Sequence, residues 1–153
     1  MNKKYYLAYG SNLNMDQMAW RCPTAVPVGI SVLNDWQLLF KGSKTGYYLT
    51  VEPCKGAKVP VGVWEITQED ELRLDHYEGF PHFYYKKTLP VSVLNKDGRF
   101  DAEAMLYIMH EDRPVGVPSA YYVSICSKGY FDFGLNHNYL SDAICRALAE
   151  DGK

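Results

Sequence analysis

The sequence predicts an α+β protein, a small mixed β-barrel flanked by short helices, in a single domain over residues 1–153. Runs rich in β-branched and aromatic residues come first, mixed with short helical segments, and helical periodicity comes last. Strands and helices do not alternate as in a doubly wound sheet, which favours α+β over α/β. The strands are numerous and short enough to curl into a barrel. No repeat or linker divides the chain, and 153 residues can bury one core.

Strands dominate the first part of the chain. The apolar run Tyr5 to Tyr9 ends at Gly10 and predicts a buried strand, and a short helix follows from about Asn14 to before Pro23. Four more runs have strand composition and are bounded by turn residues: Ala25–Leu33, Trp36–Phe40, Tyr47–Val51 and Val59–Ile66.

The pattern then becomes helical. Thr67 can cap a helix whose first turn is acidic, which suits the positive end of the helix dipole, and Gly79 is placed to end it. Two further strands, about Phe83–Leu94 and Phe100–Met109, are joined by a hairpin turn at residues 95–98.

Two helices are predicted after the last strand. Ser119 can cap the first, which Gly129 is expected to end, and the second runs from about Asn138 to Glu150. Apolar residues recur in the second at helical spacing and are expected to pack on the core: Leu140, Ala143, Ile144, Ala147 and Leu148.

Composition excludes several classes of function. A formal charge of −2 predicts no nucleic-acid partner and no attraction to an anionic membrane. The first apolar run is too short for a secretory leader or a membrane span, and four scattered cysteines read as free thiols, so a cytoplasmic location is expected. The four histidines lack metal-ligand spacing, so we predict no metal site. The 13 tyrosines suit a β-rich core, the expected place for most of them, and also small polar pockets.

The first candidate site is the segment from Tyr6 to Leu13. A strand that runs into Gly10-Ser11-Asn12 and then a helix gathers several backbone N–H groups at one turn, where they could bind a carboxylate. Glycine allows close approach, and the Ser11 and Asn12 side chains add donors. The alternative is a plain turn with Asn12 as the helix N-cap.

The second candidate is Glu78, at the C-terminal end of the helix that Thr67 begins. The negative end of the dipole and an apolar neighbour such as Phe80 should raise its pKa, and Asp75, a like charge three residues earlier, should act in the same direction. A carboxyl group with a raised pKa suits general acid–base catalysis near neutral pH. The alternative is a solvated acidic helix end.

Together these segments resemble the γ-glutamylcyclotransferase family (AIG2-like, BtrG-like). Tyr9-Gly10-Ser11-Asn12-Leu13 matches that family's substrate loop, and Leu74-Asp75-x-x-Glu78-Gly79, with Tyr85 seven residues beyond the glutamate, matches its catalytic segment. A third block agrees in spacing: Pro118-Ser119, Tyr122, Ile125, Gly129, Gly134-Leu135 and Tyr139. The three matches occur in the family's order and span nearly the whole chain.

The resemblance implies a compact barrel with flanking helices and a cofactor-independent enzyme that closes γ-glutamyl groups into 5-oxoproline. The loop from Tyr6 through Asn12, with Tyr9, Gly10 and Ser11, would hold the γ-glutamyl group, and Glu78 would accept and return a proton. Tyr122 would line the site.

Several alternatives stay open. The segment Phe80-Pro81-His82-Phe83 is more aromatic than in better-known mammalian members, so the identity of the substrate stays open. The leaving group is either an amino acid or an amine. A non-catalytic binding module for a small carboxylate metabolite is a second function, and an interaction protein with a tyrosine-rich surface is a third. The cyclotransferase hypothesis requires the turn at residues 9–12 and Glu78 to meet at one cavity.

Overall fold

The computed structural model describes residues 3–43 and 45–151. Five strands and four α-helices lie within these ranges, with one short 3₁₀ turn at Ser11–Leu13. The strands are β1 (Lys4–Ala8), β2 (Val26–Ser43), β3 (Gly46–Ile66), β4 (Tyr84–Asn95) and β5 (Gly98–Met109). The helices are α1 (Met15–Arg21), α2 (Gln68–Glu78), α3 (Ala120–Phe133) and α4 (Asn138–Asp151).

The strands form a closed barrel in the order β1-β3-β2-β4-β5. β1 runs antiparallel to β3 and parallel to β5, where Tyr5 pairs with Ala104 and Tyr6 with Met105, so the sheet is mixed. β2 meets β4 at a single pair, Ile30 with Leu94. The predicted α+β barrel is confirmed.

The four strand runs predicted between residues 25 and 66 are wrong as separate strands, because they form two long ones, β2 and β3. The polar pair Asn34-Asp35 does not end β2. It is accommodated as a β-bulge, with Asp35 at a φ of 66° and a register shift between Asn34 and Trp36. The Asp35 carboxylate accepts a hydrogen bond from the Gly56 N–H at 2.9 Å, which ties the bulge to β3.

The predicted bounds of α2 are confirmed. Thr67 and Asp70 form a reciprocal capping box, and Gly79 ends the helix in the left-handed conformation at a φ of 66°. The predicted hairpin is also present, since Asn95 pairs with Gly98 across a two-residue turn. These features depend on local sequence, which is why they are readable from it.

The predicted end of α3 is wrong. The helix continues past Gly129 to Phe133 and ends at Gly134, which has a φ of 68°. Gly129 is needed for packing instead, since a Cβ there would lie 2.6 Å from the backbone nitrogen of Asn14. This close approach seats α3 against the 3₁₀ turn.

The apolar face of α4 packs on the core through Leu140, Ala143 and Ala147, with Ile144 partly buried. Leu148 does not, because one step of about 100° past Ala147 turns it to solvent, where it is 54% exposed. No helix in residues 3–43 and 45–151 is long and apolar enough to cross a lipid bilayer.

Candidate active site

A cavity of about 360 Å³ lies between the 3₁₀ turn, the C-terminal end of α2 and the first turn of α3. Every residue proposed above for the site lines this cavity: Tyr6, Tyr9, Gly10, Ser11, Asn12, Glu78 and Tyr122. The turn and the acid, 66 residues apart in the chain, are in direct contact, because Asn12 Nδ2 lies 3.1 Å from Glu78 Oε1. The required convergence of the two segments is therefore present.

The turn that follows β1 brings the backbone close to the cavity. A Cβ on Gly10 would lie 3.1 Å from the Tyr122 hydroxyl, so glycine keeps this wall open. Ser11 and Asn12 begin the 3₁₀ turn, and the first N–H groups of such a turn have no partner within it. The alternative with Asn12 as helix N-cap is wrong, since Asn14 caps α1 and accepts from the Gln17 N–H at 3.0 Å.

The side chain of Asn12 is held by contacts on both of its polar atoms. Its Nδ2 donates to Glu78 and, at 2.8 Å, to the Tyr6 hydroxyl, and its Oδ1 accepts from Arg21 Nη1 at 2.5 Å. A guanidinium can only donate, so the amide oxygen must face Arg21 and the amide nitrogen must face Glu78. The backbone carbonyl of Asn12 also accepts from Trp64 Nε1 at 2.9 Å.

Glu78 is the last residue of α2 and is partly buried. Burial raises the pKa of its carboxyl to about 7, against the opposing effects of the Arg21 charge and the hydrogen bond from Asn12. A solvated helix end would show no such elevation. The expected direction of the shift is present in the structure, with desolvation as its first cause.

Two of the contributions expected for Glu78 are absent. Asp75 does not repel it, because the Asp75 carboxylate is paired with Lys86 at 2.8 Å and accepts from the Tyr107 hydroxyl at 2.6 Å. Phe80 is 37% exposed, lies over Lys86 and does not line the cavity. The apolar surroundings come from residues distant in sequence.

Those surroundings are largely tyrosine. Seven of the 13 tyrosines line the cavity: Tyr6, Tyr9, Tyr48, Tyr77, Tyr84, Tyr107 and Tyr122. Burial raises the pKa of Tyr6, Tyr9, Tyr77, Tyr84, Tyr107 and Tyr122, so these phenols stay neutral. Both predicted roles of tyrosine, packing in the core and lining a polar pocket, are therefore present, often in the same residue. The described residues that line the cavity include no lysine or arginine.

Sequence reasoning did not find Arg21 or Tyr48, and it named Phe83 only as part of the segment 80–83. Arg21 lies nine residues after Asn12 outside any motif, and its role depends on how α1 folds back over the turn. Tyr48 and Phe83 meet edge to face at 6.3 Å, and both line the cavity. Of the residues 80–83 expected to influence the leaving group, Phe83 alone lines this cavity among the described residues.

The chain is similar to known proteins in sequence and in fold. The family model described as "Gamma-glutamyl cyclotransferase, AIG2-like" matches residues 6–124. Gamma-glutamylcyclotransferase from Homo sapiens is 30% identical over 142 residues, which cover 88% of this chain and 73% of the human protein. The Bos taurus protein of the same name is 30% identical over 141 residues, with the same coverage.

Solved structures show the same fold. A structure titled "Gamma-glutamyl cyclotransferase" superposes with a TM-score of 0.78 at 26% identity, covering 93% of this chain and 86% of the other. YkqA from Bacillus subtilis, at 17% identity, has a TM-score of 0.77 over 94% of this chain and 55% of its own, which is a likeness of fold. On the match of the family model and the curated relatives, the chain belongs to the gamma-glutamyl cyclotransferase, AIG2-like family.

Proposed function

We propose that this protein is a cofactor-independent γ-glutamylcyclotransferase, which releases 5-oxoproline and a free amino acid or amine from a γ-glutamyl compound. Family membership supports the reaction class. The observation that carries the proposal is the position of Glu78, a carboxyl with a pKa of about 7 on the wall of a cavity that the Tyr9–Asn12 turn also lines.

The reaction needs one proton carrier. The α-amino group of the substrate is mostly ammonium at neutral pH, since its pKa is about 8, so it must lose a proton before it can attack. Glu78 accepts that proton, the amine nitrogen forms a bond to the γ-carbonyl carbon, and the bond from that carbon to the leaving nitrogen breaks. Glu78 gives this proton to the leaving nitrogen as the bond breaks. It then takes the second proton that the ring nitrogen must lose and passes it to the released amine, which departs as ammonium. A pKa near 7 allows the same group to serve in both steps.

Binding and orientation supply the remainder of the rate. Nucleophile and electrophile belong to one molecule, so holding the glutamyl chain in a folded shape can contribute several kcal/mol. The N–H groups of Ser11 and Asn12 and the Ser11 hydroxyl are donors for the α-carboxylate or for the oxyanion that develops at the γ-carbonyl. Their neutral character suits a cavity wall without lysine or arginine among its described residues.

The alternatives receive less support. A pure binder of carboxylates gains nothing from a partly buried acid at the binding turn, since a negative charge there would repel the ligand. A tyrosine-rich interaction surface does not match the distribution of tyrosines. Among the described residues, the exposed large apolar side chains include only two tyrosines, Tyr77 and Tyr121.

The free thiols suit a reducing compartment, so we also propose a cytoplasmic location.

The test is direct measurement of turnover. The purified protein would be incubated with a panel of γ-glutamyl dipeptides and γ-glutamyl amines, and 5-oxoproline would be quantified by mass spectrometry. Glu78→Gln should lose roughly a hundredfold or more in kcat while it retains the fold. The matched control is Glu69→Gln, which removes the same charge from an exposed position of the same helix.

Two results would contradict the proposal. If no member of the panel released 5-oxoproline, the proposed reaction would be refuted. Near wild-type turnover by Glu78→Gln would leave the reaction in place and remove Glu78 as its proton carrier.

A further inference from the structure

Arg21, the last residue of α1, contacts several residues of the candidate site. Its Nη1 donates to Asn12 Oδ1 at 2.5 Å and to Ser11 Oγ at 3.3 Å. Its Nη2 donates to Gln17 Oε1 at 2.7 Å and to the Tyr77 hydroxyl. The guanidinium also lies over the Tyr77 ring, 3.6 Å from its centre. Arg21 itself does not line the cavity.

These contacts determine which way Asn12 points. An isolated asparagine amide can flip between two orientations of nearly equal shape, but only one places its oxygen toward a group that donates and never accepts. With Oδ1 held by Arg21, Nδ2 is directed at Glu78 Oε1 and at the Tyr6 hydroxyl. A fixed donor on Oε1 defines the orientation of the carboxyl that must collect and return a proton.

On the basis of the proposed function, we propose that Arg21 is a positioning residue of the reaction, which acts on Glu78 through Asn12 without contacting the substrate. This role is distinct from catalysis by Glu78 and from binding by the turn. It gives α1, which contributes no residue to the cavity wall, a defined part in the chemistry.

The charge of Arg21 affects the same group. Among the described residues, the titratable and charged groups around Glu78 are Arg21 from α1, His76 from α2, which lines the same cavity, and six tyrosines: Tyr6, Tyr9, Tyr77, Tyr84, Tyr107 and Tyr122. The phenols are neutral, whereas Arg21 is a cation and opposes the rise in the pKa of Glu78. Without it, Glu78 would remain protonated to a higher pH and would accept the substrate proton less often.

The first test compares Arg21→Met with Arg21→Lys. Arg21→Met should lower kcat by roughly tenfold to a hundredfold with little change in KM, and the acid limb of the kcat/KM profile should move to higher pH. Arg21→Lys keeps the charge but loses the fork of donors, so kcat should fall while the limb stays near its wild-type position. The control is Arg73→Met, which removes a cation from an exposed position on α2 that pairs with Glu69.

A double-mutant cycle tests the route through Asn12. If Arg21 acts through that amide, Arg21→Met should cost much less kcat in an Asn12→Ala background than in the wild type. Multiplicative losses in the cycle would overturn the route through Asn12. An acid limb that does not move in Arg21→Met would overturn the electrostatic part.

A measurement without turnover separates this proposal from the proposed function. In protein labelled with ¹³C at glutamate side-chain carboxyls, the Glu78 resonance can be assigned by its loss in Glu78→Gln and titrated directly. Its midpoint should lie higher in Arg21→Met than in wild type and Arg73→Met. Equal midpoints in all three would overturn the electrostatic part even if turnover were normal, whereas a shift in a protein without turnover would leave the action of Arg21 on Glu78 standing and refute only the reaction. If Arg21→Met does not fold, Arg21→Lys replaces it in the cycle with Asn12→Ala, and the loss of kcat in Arg21→Lys should likewise be much smaller in the Asn12→Ala background.

Discussion

Replacing Glu78 with glutamine should make the protein more stable while it makes it inactive, and the gain should grow with pH. Burial raises the pKa of this carboxyl to about 7 in the folded protein from 4.5 as the ordinary value. A folded-state pKa above the unfolded one means that stability is fully present below about pH 4.5 and is lost as the pH rises through about 7.

The magnitude follows from the two pKa values. Their separation corresponds to a loss of about 3 kcal/mol of folding free energy above pH 7, at about 1.4 kcal/mol for each tenfold change in the proton equilibrium. Most of that loss, about 2 kcal/mol, falls between pH 5 and pH 8. Glutamine has nearly the same shape, carries no charge to desolvate and can accept the hydrogen bond from Asn12 through its amide oxygen.

Urea unfolding of the wild type, Glu78→Gln and Glu69→Gln at pH 5 and pH 8 measures this directly. The free energy of unfolding of Glu78→Gln should exceed that of the wild type by about 2 kcal/mol more at pH 8 than at pH 5. Glu69→Gln should follow the wild type, because the Glu69 side chain is 77% exposed. A difference between Glu78→Gln and the wild type that is the same at both pH values would refute the buried-carboxyl reasoning.

Two further predictions concern the cavity wall and the thiols. Gly10→Ala places a Cβ 3.1 Å from the Tyr122 hydroxyl, so KM for a γ-glutamyl substrate should rise roughly tenfold with an unchanged circular dichroism spectrum, and an unchanged KM would contradict the position of this wall. Burial raises the pKa of Cys22 and of Cys126 to about 12, so a thiol reagent at pH 8 should modify the other two cysteines rapidly and these two only after unfolding. Rapid modification of all four in the native protein would contradict that burial.

The sequence allowed prediction where a feature depends on neighbouring residues. The bounds of α2 could be predicted because a capping box and a left-handed glycine are local patterns, and the β4–β5 turn was predictable for the same reason. The position of Glu78 at the end of α2 followed. The division of β2 was predicted wrongly because a bulge at Asp35 is stabilised by its partner strand, which no local window contains.

Long-range contacts explain the other errors. Glycine is typical of helix ends, which is why Gly129 was predicted to end α3. Gly129 is instead required because Asn14, from another part of the chain, leaves no room for a side chain. Arg21 carries no motif, since its function depends on meeting Asn12 across the end of α1. The direction of the shift in the pKa of Glu78 was predicted correctly, yet two of the contributions expected from its own helix end, Asp75 and Phe80, are replaced by burial among distant side chains.

The chemistry of those distant side chains accounts for a pKa between that of a free carboxyl and that of a fully desolvated one. The Tyr9 and Tyr84 hydroxyls donate to backbone carbonyls, at 2.6 Å to Tyr107 and at 2.9 Å to Leu49, so they are not available to solvate an adjacent carboxylate. Glu78 shares the cavity wall with these tyrosines, and its burial there removes water without a phenol donating to it in return, which raises the pKa. The charge of Arg21 opposes this effect first, and Asn12 opposes it with a single hydrogen bond. Tyrosine hydroxyls that already donate to other groups, with a single side-chain donor directed at the carboxyl, can hold its pKa near 7. A carboxyl with such a pKa can take a proton from an ammonium group and return it to an amine.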